Sequence, residues 1–301
     1  MTRQDPPVWP ARLTRQAPFN RYVVRVEDVD FHVMEQGAGR TVFALHGNPT
    51  WGFLYRKIAF ALQGEPLRLV MPDLPGLGFS TKWRDARRHT LGEHGRLMAG
   101  LLRALEIRDA VFVLQDWGGA IGALAASQVP GAMAGLVVLN TILSPPREGF
   151  RPTTFHKFAK MPIVSDVVFR LFGFPQGYLN GVQGDRRSID AEAAWAYRYP
   201  LRSIRENVAA LALSRMVPNS LSHPTIEPLR EVETFVRAFH GPSAIVWGER
   251  DPVLGRALKR VTGVLPDAPV TMTKAGHFLQ EEVPDVIARA IGDLAAKLPA
   301  A

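Results

Sequence analysis

The strongest constraint on this chain is the alternation of short apolar runs with stretches of helical spacing. Residues 41–45, 68–71, 110–114, 135–139, 243–247 and 270–273 read as strands. Helical patterns at 53–63, 91–105, 118–127, 226–239, 255–264 and 284–297 fill the intervals and close the chain. The best-defined strand runs are apolar at nearly every position rather than every second one. Such strands are buried on both faces, which implies a parallel sheet covered by helices on either side. Two more strands, 22–27 and 30–35, are joined by a tight turn ahead of the series. The rhythm breaks at about residue 144 and resumes at about 217. That interval has no strand pattern, is rich in Phe and Arg, and fits helices at 166–172, 191–197 and 202–216. The expected organisation is an N-terminal arm (1–19), an α/β core (20–143 and 218–301) and a helical cap inserted at 144–217. The arm, with four prolines and no apolar h-region, reads as flexible or draped on the surface.

Composition removes several classes. Hydrophobic residues at 47% and charged residues at 21% are ordinary for a globular chain and exclude a wholly disordered or fibrous one. There is no cysteine, so disulfides, thiol nucleophiles and thiolate metal sites are excluded. No apolar stretch is long enough to span a bilayer, and a cytoplasmic location is expected. Basic residues outnumber acidic ones 36 to 28, a formal net charge of +8. Of that excess, +5 falls within 144–217, where Arg147, Arg151, Lys157 and Lys160 interleave with Phe. A basic patch of this kind suits an anion or a protein partner docking on the cap. No nucleic-acid recognition motif accompanies it, so no nucleic-acid partner is expected.

In an open parallel sheet, function collects beyond the carboxyl ends of the strands. Four strand ends here carry polar residues: His46-Gly47-Asn48-Pro49-Thr50, Gln115-Asp116-Trp117-Gly118-Gly119, Gly248-Glu249-Arg250-Asp251, and Gly276-His277-Phe278. Asp116 stands at a strand-to-helix turn followed by two glycines, the position of a nucleophile elbow. A carboxylate is ionised at neutral pH without help from a base. Attack on an acyl carbon would give an over-reactive anhydride, whereas attack on saturated carbon gives an ester that water can cleave. An aspartate elbow therefore points to alkyl halides or epoxides. His277, late in the chain, suits a general base that activates the water. Asp251 suits the group that orients His277, with Glu249 its nearest competitor. Asn48 and Trp117 offer amide and indole N–H donors to a leaving halide. Plainer roles remain open: helix capping for Asp116, a loop position for His277, a turn for Asn48 and core packing for Trp117. The glycines of 76–80 lack the spacing of a dinucleotide or phosphate loop. His89 and His94, five apart, do not share a helical face as a zinc pair would. No metal or other cofactor is expected.

Together with Asp73-Leu74-Pro75-Gly76-Leu77-Gly78-Phe79-Ser80, these segments resemble the haloalkane dehalogenase family of α/β-hydrolases. The resemblance implies an α/β-hydrolase fold, with an eight-stranded core and a helical cap inserted after the sixth strand. It implies Asp116 as nucleophile, His277 as base, Asp251 as acid, and a halide held by Asn48 and Trp117. The substrate would be a small apolar halogenated molecule, with water as co-substrate. One branch of the family carries its acid as Glu after the sixth strand, where this chain has Asn140. Another uses a cap tryptophan as halide donor, and the only cap tryptophan here is Trp195. The pattern fits a third branch, which also includes relatives resembling β-lactone decarboxylases of long-chain olefin synthesis. Epoxide hydrolases share the aspartate elbow but add paired cap tyrosines, for which Tyr178, Tyr197 and Tyr199 are candidates.

Overall fold

The computed structural model describes residues 3–150, 154–161, 163–171, 173–204 and 207–299. One sheet is formed by β1 (Asn20–Val26), β2 (Val29–Gly37), β3 (Arg40–Leu45), β4 (Leu67–Pro72), β5 (Ala110–Asp116), β6 (Met133–Thr141), β7 (Ser243–Gly248) and β8 (Val270–Thr273). Their order across the sheet is β1-β2-β4-β3-β5-β6-β7-β8. β2 runs antiparallel to β1 and to β4, and every other neighbouring pair is parallel. This is the α/β-hydrolase architecture.

Burial explains the apolar runs. Phe43 and Phe112 enter the core on one side of the sheet, with ring centroids 5.1 Å apart. Their neighbours Val42, Ala44, Val111 and Val113 enter the core on the other side. Successive side chains of a strand point to opposite faces, and both faces here are covered. The edge strand β8 is different: Val270 and Met272 are exposed.

Several elements differ from the sequence reading. Residues 53–63 form a 3₁₀ turn (Gly52–Tyr55) followed by a short helix (Arg56–Ala61). The helix expected over 202–216 is confined to Ala209–Arg215. Buried Asn207 instead donates from Nδ2 to the Phe169 carbonyl at 2.7 Å, tying the preceding stretch to a neighbouring helix (Val164–Leu171). Phe172, the expected end of that neighbour, lies outside the described residues, as does Arg151 of the basic run. The N-terminal stretch is docked rather than loose. Gln4 pairs with Val23, Leu13 is fully buried, and Trp9 packs on His32, Trp51 and Phe79. Two apolar anchors among polar neighbours were too sparse a signal to reveal this. Among the described residues, no helix is long and apolar enough to cross a membrane.

Candidate active site

Asp116 closes β5 with φ 49° and ψ −130°, directly before the helix Trp117–Ser127. A non-glycine residue in that region is strained and is held there only by its surroundings. The surroundings are explicit. The Thr141 hydroxyl donates to the Asp116 carbonyl, and a Cβ on Gly119 would collide with that hydroxyl. A Cβ on Gly47 would likewise strike the Asp116 carboxylate. The glycines are there because the strand-end loops must close on the elbow.

The carboxylate is addressed from two sides. The Asn48 backbone N–H donates to Asp116 Oδ1 at 2.7 Å. His277 Nε2 lies 3.5 Å from Oδ2. On its far side His277 Nδ1 meets Asp251 Oδ2 at 2.8 Å. Asp251 is buried and fully engaged. Asn140 Nδ2 donates to its Oδ2 at 2.8 Å, and the Val253 and Leu254 N–H groups donate to Oδ1 at 2.7 and 3.1 Å. Burial opposes the Asp251 charge, but His277, Asn140 and these amides outweigh it and hold the carboxyl below its usual range. Burial also opposes a charged His277, yet Asp251 and Asp116 on either side raise its pKa to about 10. Glu249, the sequence competitor of Asp251, is exposed on the surface.

The loop after β3 is fixed by His46. Its Nδ1 donates to the Gly47 carbonyl and its Nε2 accepts from the Leu74 N–H, both at 2.9 Å. Those partners demand the neutral ring, and burial holds its pKa down accordingly.

Above Asp116 lies a cavity of about 430 Å³. Asn48, Trp117 and His277 line it from the core side, and Phe174, Tyr178 and Leu179 from the residues between β6 and the helix Ile226–Arg237. Trp117 contributes an indole N–H that meets no acceptor among the described residues. Asn48 is arranged differently from the sequence expectation. Its Nδ2 donates to the Ala210 carbonyl at 2.9 Å and to Ser214 Oγ at 3.0 Å, both in the helix Ala209–Arg215. The amide nitrogen is thus held by that helix, while Oδ1 is buried without a donor.

A model of the α/β-hydrolase fold matches residues 40–284. A haloalkane dehalogenase of Mycobacterium marinum is 30% identical over 275 residues, covering 88% of this chain and 90% of that protein. The chain belongs to the haloalkane dehalogenase family. Haloalkane dehalogenase 1 of Mycobacterium tuberculosis is also 30% identical, over 80% of this chain and 79% of that one. The crystal structure of haloalkane dehalogenase DatA from Agrobacterium tumefaciens superposes with a TM-score of 0.81 at 24% identity, covering 92% of this chain and 96% of that one. At that identity the superposition speaks for the fold.

In this family member the aromatic residues between β6 and the helix Ile226–Arg237 do not converge. Tyr178 lines the cavity, whereas Tyr197 is buried against Glu281 and Tyr199 packs on Phe79 and Trp195. Trp195 is absent from the cavity lining and stacks under Arg12. Phe158, Phe169 and Phe174 pack on one another, and Phe174 alone of the three also reaches the cavity. His89 Nδ1 and His94 Nε2 do meet, at 3.0 Å, because His89 sits before the helix Leu91–Ala104 rather than on it. No three metal-ligating side chains cluster among the described residues.

Sequence reasoning missed the supports. Asn140 was noted only as a missing carboxylate. Its side chain bridges Asp251 to the Gly248 carbonyl and N–H, at 3.0 and 2.7 Å. Gln183 receives the Phe278 N–H at 2.9 Å and donates to the Phe278 carbonyl at 3.1 Å. Glu282 accepts the N–H groups of Gly184, Asp185 and Gly276 at 2.8–3.0 Å. Gln183 and Glu282 together clamp the His277 loop to the segment 182–185. Nothing in a single sequence marks such contacts, because nearly all of them join residues about a hundred positions apart.

Proposed function

We propose that the protein hydrolyses carbon–halogen bonds of haloalkanes through a covalent alkyl ester on Asp116. The observation that carries this reading is the placement of one carboxylate between the Asn48 N–H and an imidazole backed by a second carboxylate, on the floor of an apolar cavity. Oδ2 is the attacking atom, since Oδ1 is engaged by the Asn48 N–H. Oδ2 bonds to the halogen-bearing carbon, the carbon–halogen bond breaks, and halide departs with both bonding electrons. Ester formation neutralises Asp116 and removes one of the two anions that favour a protonated His277. Burial then favours loss of the imidazolium proton to solvent, where it accompanies the departing halide, leaving a base only after the ester has formed. His277 takes a proton from water, and the oxygen attacks the Asp116 carboxyl carbon. The Asn48 N–H already on Oδ1 receives the developing oxyanion. The acyl–oxygen bond breaks, the alcohol leaves with a proton, and Asp116 is regenerated.

We assign the halide to the Trp117 indole N–H, with Asn48 joining once an amide hydrogen turns from Ser214. We read residues 144–217 as a cap over the core formed by 20–143 and 218–301. Only Tyr178 among the candidate cap tyrosines lines the cavity, which disfavours the epoxide reading. A β-lactone substrate would use the same aspartate. Incubation with 1-bromobutane tests the proposal: wild type should release bromide and 1-butanol in equal amounts. Turnover of a cis-β-lactone to alkene and CO₂, without bromide release from bromoalkanes, would overturn it.

A further inference from the structure

A second cavity, of about 330 Å³, lies away from Asp116 at the root of the cap. Both crossings between cap and core line it: Ser144 to Glu148 as the chain leaves β6, and Leu221 and Ile226 as it returns. The helix Ile226–Arg237 supplies Arg230 and Arg237, and the helix Leu258–Val264 supplies Arg260. Arg230 and Arg237 are neutralised on their own helix, by Glu227 at 2.9 Å and Glu233 at 2.7 Å. Arg147 and Arg260 are not. Among the described residues, neither guanidinium meets a carboxylate or a carbonyl. Glu148 lines the same cavity without pairing to either, and Glu233 is occupied by Arg237.

This is an uncommon arrangement for a guanidinium. Arg260 is half-buried, packs over the Phe150 ring at 5.8 Å, and leaves five N–H donors without a protein acceptor. A partly desolvated cation is costly unless paired. Here burial and the neighbouring Arg147 both push its pKa down, so no local anion offsets either penalty. Other half-buried arginines do find an acceptor: Arg68 pairs with Glu35 at 2.8 Å, Arg215 with Asp166 at 2.7 Å, and Arg21 donates to the Pro7 carbonyl at 3.0 Å. Two like charges gathered on a concave wall, with their donors free, form a site complementary to an oxyanion.

We propose that Arg147 and Arg260 bind a phosphate group of a small soluble molecule at the junction of cap and core. A dianionic phosphate offers enough oxygens to engage two forked guanidiniums at once, which a halide does not. The concave shape favours a free molecule over the flat surface of a membrane. This site is independent of the dehalogenase chemistry, and it joins one arginine of the basic run, Arg147, to one of the core, Arg260.

The test is titration of the full-length protein with inorganic phosphate at constant ionic strength, read by thermal unfolding and by phosphorus NMR line broadening. Wild type should show saturable stabilisation. Arg147→Gln and Arg260→Gln should each weaken it about tenfold, the loss of one charge-assisted contact. Lys157→Gln, on an exposed cap lysine outside the cavity, should bind like wild type. Equal stabilisation of wild type and Arg260→Gln would overturn the proposal, because phosphate would then be acting elsewhere, including at Trp117. No stabilisation of wild type, or an equal effect from chloride, would also overturn it. So would binding to vesicles of phosphatidic acid without any response to free phosphate.

Discussion

The two halves of the cavity are built on different terms. On the core side nearly every polar atom has a fixed partner. Asp116 is gripped through its carbonyl and one carboxylate oxygen, Asp251 through three donors besides His277, and His46 through both ring nitrogens. On the cap side the wall is largely apolar, and its Tyr178 is 61% exposed. The hydrogen bonds from core residues of the site into that wall are few: the Asn48 side chain donates to Ala210 and Ser214, the His277 backbone N–H donates to the Val182 carbonyl at 2.9 Å, and Gln183 engages the Phe278 backbone. The difference separates chemistry from selection. Bond-making groups need preorganised partners that do not move during the reaction. A wall that chooses among apolar substrates needs shape and can yield.

Substitutions should therefore lose activity in proportion to how much of the core network they remove. Asp116→Ala should abolish halide release, a loss on the order of 10⁴-fold or more, because no alternative nucleophile reaches the carbon. Steady-state bromide assays decide it, and substantial residual turnover would break the contrast. Asn140→Ala should lower kcat about tenfold with little change in KM, since it removes one hydrogen bond from buried Asp251. An equal change in KM would move Asn140 from positioning to binding. Ser214→Ala should act the other way on halide: one Asn48 hydrogen is freed, and halide affinity should tighten about fivefold. Quenching of tryptophan fluorescence by iodide measures this directly. Tyr178→Phe should change KM by no more than about twofold, since its exposed hydroxyl makes no described hydrogen bond.

The charge pattern adds a pH expectation. His277 is raised to about 10 in the folded protein, against an ordinary 6.5. A raised pKa contributes stability that is complete below about 6.5 and is lost as pH climbs through about 10. Thermal unfolding of wild type should therefore fall between pH 7 and 10 more steeply than that of His277→Gln. Parallel slopes would mean that the imidazole is not held between two anions. Asp251 works in the opposite direction, with its contribution present above the ordinary carboxylate range and lost on acidification.

The core side was also the legible side. Asp116, Asn48, Trp117, Asp251 and His277 all stand at strand ends, and strand ends could be read from uninterrupted apolar runs. Once the sheet is parallel, those positions are forced to one edge, so their convergence followed from local pattern alone. The cap lacked that logic. Its helices are short, several break at irregular turns, and which Tyr or Phe reaches the cavity depends on packing between elements with no shared register. Asn207, for example, gave no warning that it would tie the chain to Phe169 and shorten the following helix. The turn of the Asn48 amide toward Ser214 was hidden for the same reason: its partner lies 166 positions away.

The central claim is a covalent ester on Asp116 that only His277 allows water to cleave. His277→Phe, with His277→Gln as a milder replacement, should react once with 1-bromobutane and stop. Intact-mass analysis should find the protein heavier by one butyl group less a hydrogen, with the label mapping to the peptide that contains Asp116. Release of one bromide per protein should accompany it. Bromide release with no adduct, continued turnover, or a label on another residue would contradict the account.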